Sequence, residues 1–269
     1  MGNEKLSTDV IEDLLINKQF YDVNVEEIVD STNNIVKTRA EDNAKEGLVI
    51  IAREQTAGRG RLGRNFYSPK GTGLYMSILF RPDLNTDKVT LFTTAAALSV
   101  AKAIRKVTCY DASIKWVNDI IMEKKKVCGI LTEGKMNVSN NKLDYIVLGI
   151  GINIEEPKDG FPAEISDIAS SIINQRDRKS NDDDLVNKLV ANILDNMYFY
   201  YHDMNLDEEF IRYEYISFSN TLGKDINIID GDKVEEARVI GIAENIGLIV
   251  KNDKGIRTIY SGEISIREK

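Results

Sequence analysis

A single histidine, His202, is all the imidazole in this chain of 269 residues, and Cys109 and Cys128 are its only thiols. A His-rich metal site and a zincin motif are thereby excluded. His202 lies in YFYYHDM, near the end of a predicted helix, where a histidine commonly faces the C-terminal dipole; it is given no catalytic role. Two cysteines make no disulfide framework and suit a reducing cytoplasm. Each reads as a small buried hydrophobe. Positive charge is not in excess either: 35 Lys and Arg against 43 Asp and Glu leave a formal charge of -8, which argues against non-specific attraction to DNA or anionic lipid. Long apolar runs are also missing. The N-terminus MGNEKLSTDVIEDLLINKQF has no signal-peptide core, and Leu91 to Ile104 is too short and too threonine-rich to span a bilayer. A soluble cytoplasmic protein is expected. Its 42% of apolar residues supply the core of one large domain plus a small one.

What is present begins with REQTAGRGRLGRNFYSP, Arg53 to Pro69, which contains Gly58-x-Gly60-x-x-Gly63. That spacing matches a dinucleotide-binding fingerprint, which needs a strand before it and a helix opening within it. The apolar run Leu48–Ala52 supplies the strand. The helix is missing, because the residues from Asn65 to Gly73 are turn formers without 3.6-residue periodicity. Arg59, Arg61 and Arg64 also put three guanidinium groups where a Rossmann loop offers backbone N–H groups. The match is accidental. Glycines Gly58, Gly60 and Gly63 let the backbone bend close to a ligand, and the planar forks of alternate arginines can clamp phosphate oxygens. On an acidic chain, such a local positive spot suits a small anionic ligand better than a polyanion. A solvated basic turn is the weaker alternative. Few apolar anchors and a high density of like charge predict a loop that is mobile when empty.

Periodicity orders the rest. A short amphipathic helix is expected over Thr8 to Asn17, then a strand, and a helix starting at Ser31-Thr32 and ending before Gly47. Strands follow at Leu48–Ala52 and Leu74–Phe80, with Pro82 stopping the second. Val89, Phe92, Ala96, Val100, Ala103 and Val107 form a helical face. Further strands are expected at Ser113–Trp116, Val127–Thr132 and Tyr145–Ile154. Asp182-Asp183-Asp184 should open a helix running to about Tyr201, and another covers Asp207 to Ile216. After Ser219 short alternating segments, broken at Asp230-Gly231, Asn245-Ile246-Gly247 and Asp253-Lys254-Gly255, read as five strands of a small closed barrel. The main body lacks regular βα alternation, which favours an α+β fold with helices on one side of the sheet.

Two more features lie at strand ends or on loops. In KWVNDIIMEKKKVCGILTEG, Lys115 ends a strand beside the only tryptophan, Trp116. It is either a snorkelling surface residue or a point charge aimed at a carboxylate or phosphate. Asn118 and Asp119 serve equally as turn formers. In VLGIGINI, Gly149 and Gly151 interrupt an apolar strand, marking a bulge or a close approach to the backbone.

Taken in order, DSTN, EQTAGRGRLGR, GTGLYMSILFRP, KWVNDI, KVCGILTE, GIGINI and GEISIR resemble the biotin protein ligase family over about Ile28 to Arg267. The Gly-Arg-Gly-Arg-x-Gly-Arg loop is the specific part. The resemblance implies an α+β catalytic domain, a mixed sheet with helices packed on it, followed by a small SH3-like barrel. The division expected is an N-terminal helical segment over 1–24, a ligase domain over 25–218 and the barrel over 219–269. The family usually has Lys-Trp-Pro-Asn-Asp where this chain has Val117, which bears on the placement of Lys115. Some members carry an N-terminal winged helix and bind DNA. Thirty residues before Ser31 are fewer than an independent domain needs, so the monofunctional type without DNA binding is expected.

The family reaction consumes ATP with Mg²⁺, makes biotinyl-5′-AMP and transfers biotin to a lysine of a biotin carboxyl carrier domain. The resemblance implies neutralisation by Arg59, Arg61 and Lys115, with Arg64 and Lys126 as weaker candidates. Ser31, Thr32, Asn33 and Gln55 would meet the uncharged ureido ring, with Ser31 or Asn33 also capping its helix. Gly58 and Gly60 would bring the loop backbone to the ligand. Gly129 and Gly151 would admit the ligand's apolar chain, and Asn153 would lie on the adenine side. The family allows a homodimer through a sheet edge; no residue here decides it. A lipoate or other acyl-protein ligase of related fold is the nearest rival, and a nucleotide-binding sensory module is a non-enzymatic one. An RNA-binding module fits poorly with the net charge.

Overall fold

The computed structural model describes residues 5–137, 139, 142–173, 184–230, 233–260 and 262–267. Helix α1 (Thr8–Leu14) is capped by the Ser7 side chain and is shorter than the ten residues expected, with Ile11 fully buried. Strand β1 (Asp22–Val29) leads to helix α2 (Thr32–Glu41). Strand β2 (Leu48–Gln55) and strand β3 (Gly73–Phe80) flank the arginine loop, in which the only helical geometry is a single 3-10 turn over Arg61–Gly63. No helix opens within Gly58 to Gly63, so the dinucleotide pattern is indeed accidental. Helix α3 (Val89–Thr108) is followed by β4 (Ser113–Lys115), β5 (Asp119–Met122), β6 (Lys125–Asn137) and β7 (Lys142–Asn153). Strand β5 is missing from the sequence pattern because four residues are too few to show a period.

Seven strands form one sheet in the order β1-β2-β3-β7-β6-β5-β4, parallel only between β1 and β2. Strand β3 is buried along its whole length because both faces are covered. Alternate side chains sort by the pleat. Met76, Ile78 and Phe80 join the main core with Phe92, Val100 and Ile104 of α3, and with Leu189, Ile193 and Met197 of helix α4 (Leu185–Tyr198). Leu79 instead joins Val36 and Ala40 of α2, together with Tyr145 and Val147 of β7. Helices therefore cover both faces, not one, and α2 has a face of its own. Asp182 and Asp183, expected to open α4, lie outside the described residues, as does Gly231 of the expected Asp230-Gly231 turn. The first helix is tied to this core rather than set apart: Ser7 N donates to Asn187 Oδ1 at 3.1 Å, and Tyr21 Oη donates to Leu194 O at 2.8 Å.

Cys128 is fully buried and burial pushes its thiol well up, but Cys109 is exposed, in the left-handed conformation that ends α3. The buried-hydrophobe expectation thus holds for one cysteine of the two. His202 lies in the turn Phe199–Asp203, stacked on Tyr198 at 4.5 Å with its Nδ1 3.1 Å from Asp203 Oδ1. No helix among the described residues is long and apolar enough to cross a membrane.

Helix α5 (Glu208–Phe218) precedes the second sheet, made of β8 (Asp225–Asp230), β9 (Lys233–Ile242), β10 (Leu248–Asn252), β11 (Gly255–Ile259) and β12 (Glu263–Ile266). It is antiparallel in the order β11-β10-β9-β8-β12. It is a five-stranded antiparallel sheet, in keeping with the small β unit expected after Ser219, and no pairing joins β11 to β12 among the described residues. Trp116 links the two sheets: its Nε1 donates to Ile246 O at 2.7 Å and its backbone N to Thr221 Oγ1 at 3.3 Å. Both Trp116 and Ile246 are buried. Replacing Trp116 with Phe strands the Ile246 carbonyl, and an unpaired buried acceptor costs about 1–3 kcal/mol. Denaturant unfolding followed by circular dichroism should show that loss; an unchanged midpoint would remove this bond as a tie between the sheets.

Candidate active site

Between α2, the arginine loop, β6, β7 and the start of β12 lies a cleft of about 230 Å³. Its floor is the centre of the large sheet, where Gly129 pairs with Gly151 and Leu131 with Gly149. A methyl at Gly149 would stand 2.1 Å from Asn33 Oδ1, and one at Gly151 would stand 2.6 Å from the Phe66 ring. These strand glycines mark close approaches. What comes close is this chain's own Asn33 and Phe66.

One wall is neutral and polar. Ser31, Thr32 and Asn33 are buried at the N-terminus of α2. Ser31 has the extended geometry of a cap, but its side chain makes no capping bond, and Asn33 makes none either: its amide reaches Glu133 Oε2 at 2.7 Å. The capping expectation therefore fails for both. Gln55 Oε1 accepts from Thr32 N at 2.9 Å, while Gln55 Nε2 donates to Ser68 Oγ at 3.0 Å. Ser77, fully buried on β3, stands 2.6 Å from Asn33 Oδ1. Its signal was a lone hydroxyl within the apolar run Leu74 to Phe80. Glu133 sits inside a quoted motif, yet nothing in the local pattern points it at Asn33.

The other wall is cationic. Arg61 Nη1 donates to Asn118 Oδ1 at 2.8 Å, and Asn118 Nδ2 donates to Ile130 O at 2.7 Å. Asn118 is thus more than a turn former. Lys126 Nζ pairs with Asp119 Oδ1 at 2.7 Å. Lys115 lines the cleft half-buried; its backbone pairs with Asp119, its charge acts on Glu263, and its ammonium makes no hydrogen bond or close ion pair among the described residues. The Trp116–Val117 peptide beside it is cis. Arg59 is exposed, contacting Asn34 Oδ1 at 3.0 Å and Glu133 Oε1 at 3.2 Å. Arg64 forms a two-pronged pair with Glu263 of β12, with Nη1 to Oε1 at 2.9 Å.

Each loop arginine therefore has a partner outside the loop, and the Phe66 ring anchors it over Gly151. Gly60 lines the cleft, but Gly58 does not: its carbonyl accepts Phe66 N at 2.9 Å, and a methyl there would meet Phe66 O at 2.4 Å. Gly58 packs inside the loop, behind the residues that line the cleft. Asn153 lines the far end and donates to Ser170 O at 3.0 Å, next to Ile165, Ile168 and Ala169. Those three apolar residues have no sequence signal, since they come from an irregular segment.

This architecture, a mixed sheet with a Gly-Arg loop over its centre and a smaller antiparallel sheet beside it, is that of the biotin and lipoate protein ligases. Residues 25–153 match the biotin/lipoate A/B protein ligase family and residues 221–267 match the biotin protein ligase C terminal domain. The bifunctional ligase/repressor BirA of Bacillus spizizenii is 30% identical over 241 residues, 90% of this chain and 73% of that protein. The biotin--[acetyl-CoA-carboxylase] ligase of Mycobacterium tuberculosis is 30% identical over 149 residues, 54% of this chain and 52% of that protein. Among solved structures, the biotin protein ligase from Aquifex aeolicus in complex with biotin and ATP has a TM-score of 0.73 at 31% identity, covering 93% of this chain and 100% of that one. The chain belongs to the biotin protein ligase family.

The Arg64–Glu263 pair makes a pH prediction. The Arg64 hydrogen bond and charge hold the Glu263 carboxyl below its ordinary range. A lowered carboxyl pKa stabilises the folded state above the unfolded value, and the gain is lost as pH falls through the folded value. The pair is largely solvent-exposed, 65% for Arg64 and 36% for Glu263, so it is worth at most about 1 kcal/mol. Glu263→Gln should lower the melting temperature at neutral pH by about 1–4 °C, and the difference should vanish in acid below the glutamate range. A difference that persists in acid would show that the pair is not its source.

Proposed function

We propose that this chain is a biotin--[biotin carboxyl-carrier protein] ligase, which activates biotin with ATP as biotinyl-5′-AMP and transfers it to a specific lysine of a biotin carboxyl carrier domain. The observation that carries the proposal is the joining, in one cleft, of an uncharged polar wall at Thr32, Asn33 and Gln55 to a cationic wall at Arg61, Lys115 and Lys126. The relatives' names and the biotin and ATP of the Aquifex complex support it. The proposal divides the chain into a helical segment over 1–24, a catalytic domain over 25–218 and a C-terminal unit over 219–269, and it sets the reaction in the cytoplasm.

The first step brings a carboxylate to a triphosphate, and like charges repel unless cations stand between them. Arg61 and Lys126 are held in advance by Asn118 and Asp119, so they need little reorganisation when ligand arrives. Lys115, whose ammonium has no hydrogen-bonded or closely ion-paired partner among the described residues, is the cation most available to the reacting oxygens. The biotin carboxylate oxygen bonds to the α-phosphorus as the bond to the bridging oxygen breaks, and pyrophosphate leaves with the electron pair. In the second step the carrier lysine amine attacks the anhydride carbonyl; an amide forms, a proton is lost and AMP departs. No side-chain nucleophile is needed, which accords with the single distant histidine.

No group of three or more His, Cys, Asp or Glu among the described residues is placed to hold a metal ion alone. Mg²⁺ is commonly taken up through one or two carboxylates plus substrate phosphates rather than by an all-protein cage. Asp119, which lines the cleft with one carboxylate oxygen on Lys126, is the donor the protein would offer, and the ion would add charge neutralisation at the phosphates.

Two variants test the assignment. Lys115→Ala should slow biotin-dependent pyrophosphate release by about 10²–10³-fold with unfolding unchanged; wild-type rates in that variant would remove Lys115 from the chemistry. Arg61→Ala should release free biotinyl-5′-AMP into solution, measured by chromatography, with thermal stability nearly intact. Lipoate or octanoate in place of biotin should yield no pyrophosphate with the wild-type protein.

A further inference from the structure

Glu133 of β6 does not line the cleft, yet its carboxylate gathers three donors from two of the cleft's walls. Asn33 Nδ2 lies 2.7 Å away, Arg59 Nη2 lies 3.2 Å away, and Lys37 Nζ completes the set. Burial pushes this carboxyl up, but the hydrogen bonds from Asn33 and Lys37 and the charges of Lys37 and Arg59 outweigh it and hold it ionised. An ionised carboxylate only accepts. The Asn33 amide is therefore compelled to turn Nδ2 toward Glu133 and Oδ1 toward Ser77.

That orientation propagates. Ser77 Oγ stands 2.6 Å from Asn33 Oδ1 and 2.7 Å from Thr32 Oγ1. A hydroxyl has one proton, and Asn33 Oδ1 can only accept, so the Ser77 proton goes to Asn33. The contact with Thr32 is then completed by the Thr32 proton, for which Ser77 at 2.7 Å is nearer than Gln55 Oε1 at 3.2 Å. Thr32 Oγ1 and Gln55 Oε1 are left as neighbouring acceptors at the cleft wall with no hydroxyl proton between them, Gln55 Oε1 keeping only the Thr32 backbone N–H at 2.9 Å. Such a pair calls for a donor from the ligand.

We propose that Glu133 is a positioning residue that sets the direction of this hydrogen-bond relay, so that the ring-binding wall presents acceptors and selects a head group that brings N–H donors. The inference rests on the biotin assignment and deepens it: a ureido ring has two N–H donors, whereas a dithiolane ring has none. In Glu133→Gln, Lys37 and Arg59 compete for the one remaining oxygen and the new amide N–H₂ faces Asn33. The Asn33 amide turns over, Ser77 donates to Thr32, and the Thr32 proton is released toward Gln55 or the cleft. The polarity of the wall reverses.

The test compares biotin with the two cyclic carbamates in which one ring N–H is replaced by oxygen, using calorimetry on wild type, Glu133→Gln, Glu133→Asp and Ser77→Ala. The wild type should prefer biotin to at least one carbamate by about tenfold or more, the cost of an unmet buried acceptor. Glu133→Gln should lose biotin affinity and bring that ratio close to one, and Glu133→Asp should recover it. Ser77→Ala, which breaks the relay in its middle without touching Glu133, should narrow the ratio in the same way. An equal loss for biotin and carbamates, with the ratio preserved in both Glu133→Gln and Ser77→Ala, would overturn the proposal and leave Glu133 a structural residue. Failure of the wild type to bind biotin at all would overturn the ligase assignment as well, and that result is read before any variant is compared.

Discussion

Three glycines at the centre of the large sheet leave part of its cleft face without side chains, and the rest of the site depends on that constraint. Strands β6 and β7 bring Gly129, Gly149 and Gly151 side by side, so the backbone itself is the floor. A side chain at Gly149 would collide with Asn33, and one at Gly151 with Phe66. The missing Cβ atoms allow α2 to lower its first turn onto the sheet and the arginine loop to lay an aromatic ring beside it. Glycine weakens a strand by losing packing and gaining backbone entropy. Here the flanking apolar residues, Leu148, Ile150 and Ile152, remain buried and offset that weakness from the opposite face.

Upon that floor the molecule builds charge and neutrality separately. The neutral wall is a chain of amides and hydroxyls that bond to one another and leave acceptors of Thr32 and Gln55 facing the cleft. The cationic wall balances its charges locally: Arg59 against Glu133, Arg64 against Glu263, Lys126 against Asp119. These acids keep an arginine-rich loop compatible with a folded, acidic protein. They also mean that an anionic ligand competes with protein carboxylates for the loop, a competition it wins only by bringing more negative charge than one carboxylate. A triphosphate does so. Glu133 belongs to both systems, because the carboxylate that balances Arg59 also orients Asn33.

Much of this was legible in the chain. Period-two and 3.6-residue patterns located β2, β3, α3, α4 and the change of texture near Ser219, because burial of one face leaves a mark at a fixed spacing. The order of motifs from DSTN to GEISIR carried the family, and thirteen of the fourteen candidate site residues do line one cleft. Gly58 is the exception, and its flexibility serves the loop's own packing. The errors share one cause. The expected one-sided sheet, the buried Cys109 and the capping Ser31 all concern which surfaces meet.

What the sequence determined by itself is local: which segments are amphipathic, where the backbone must turn, how many cations lie within one short loop, and that imidazole and thiol chemistry is scarce. What only the tertiary structure decided is pairing across distance. Glu133 lies 100 residues from Asn33, and Arg64 lies 199 from Glu263. Contacts at such separations leave no periodic trace, because they are set by sheet register and by the packing of one layer on another. A hydrogen bond depends on a few tenths of an ångström and on direction, and neither quantity is written in the spacing of residue types along a chain.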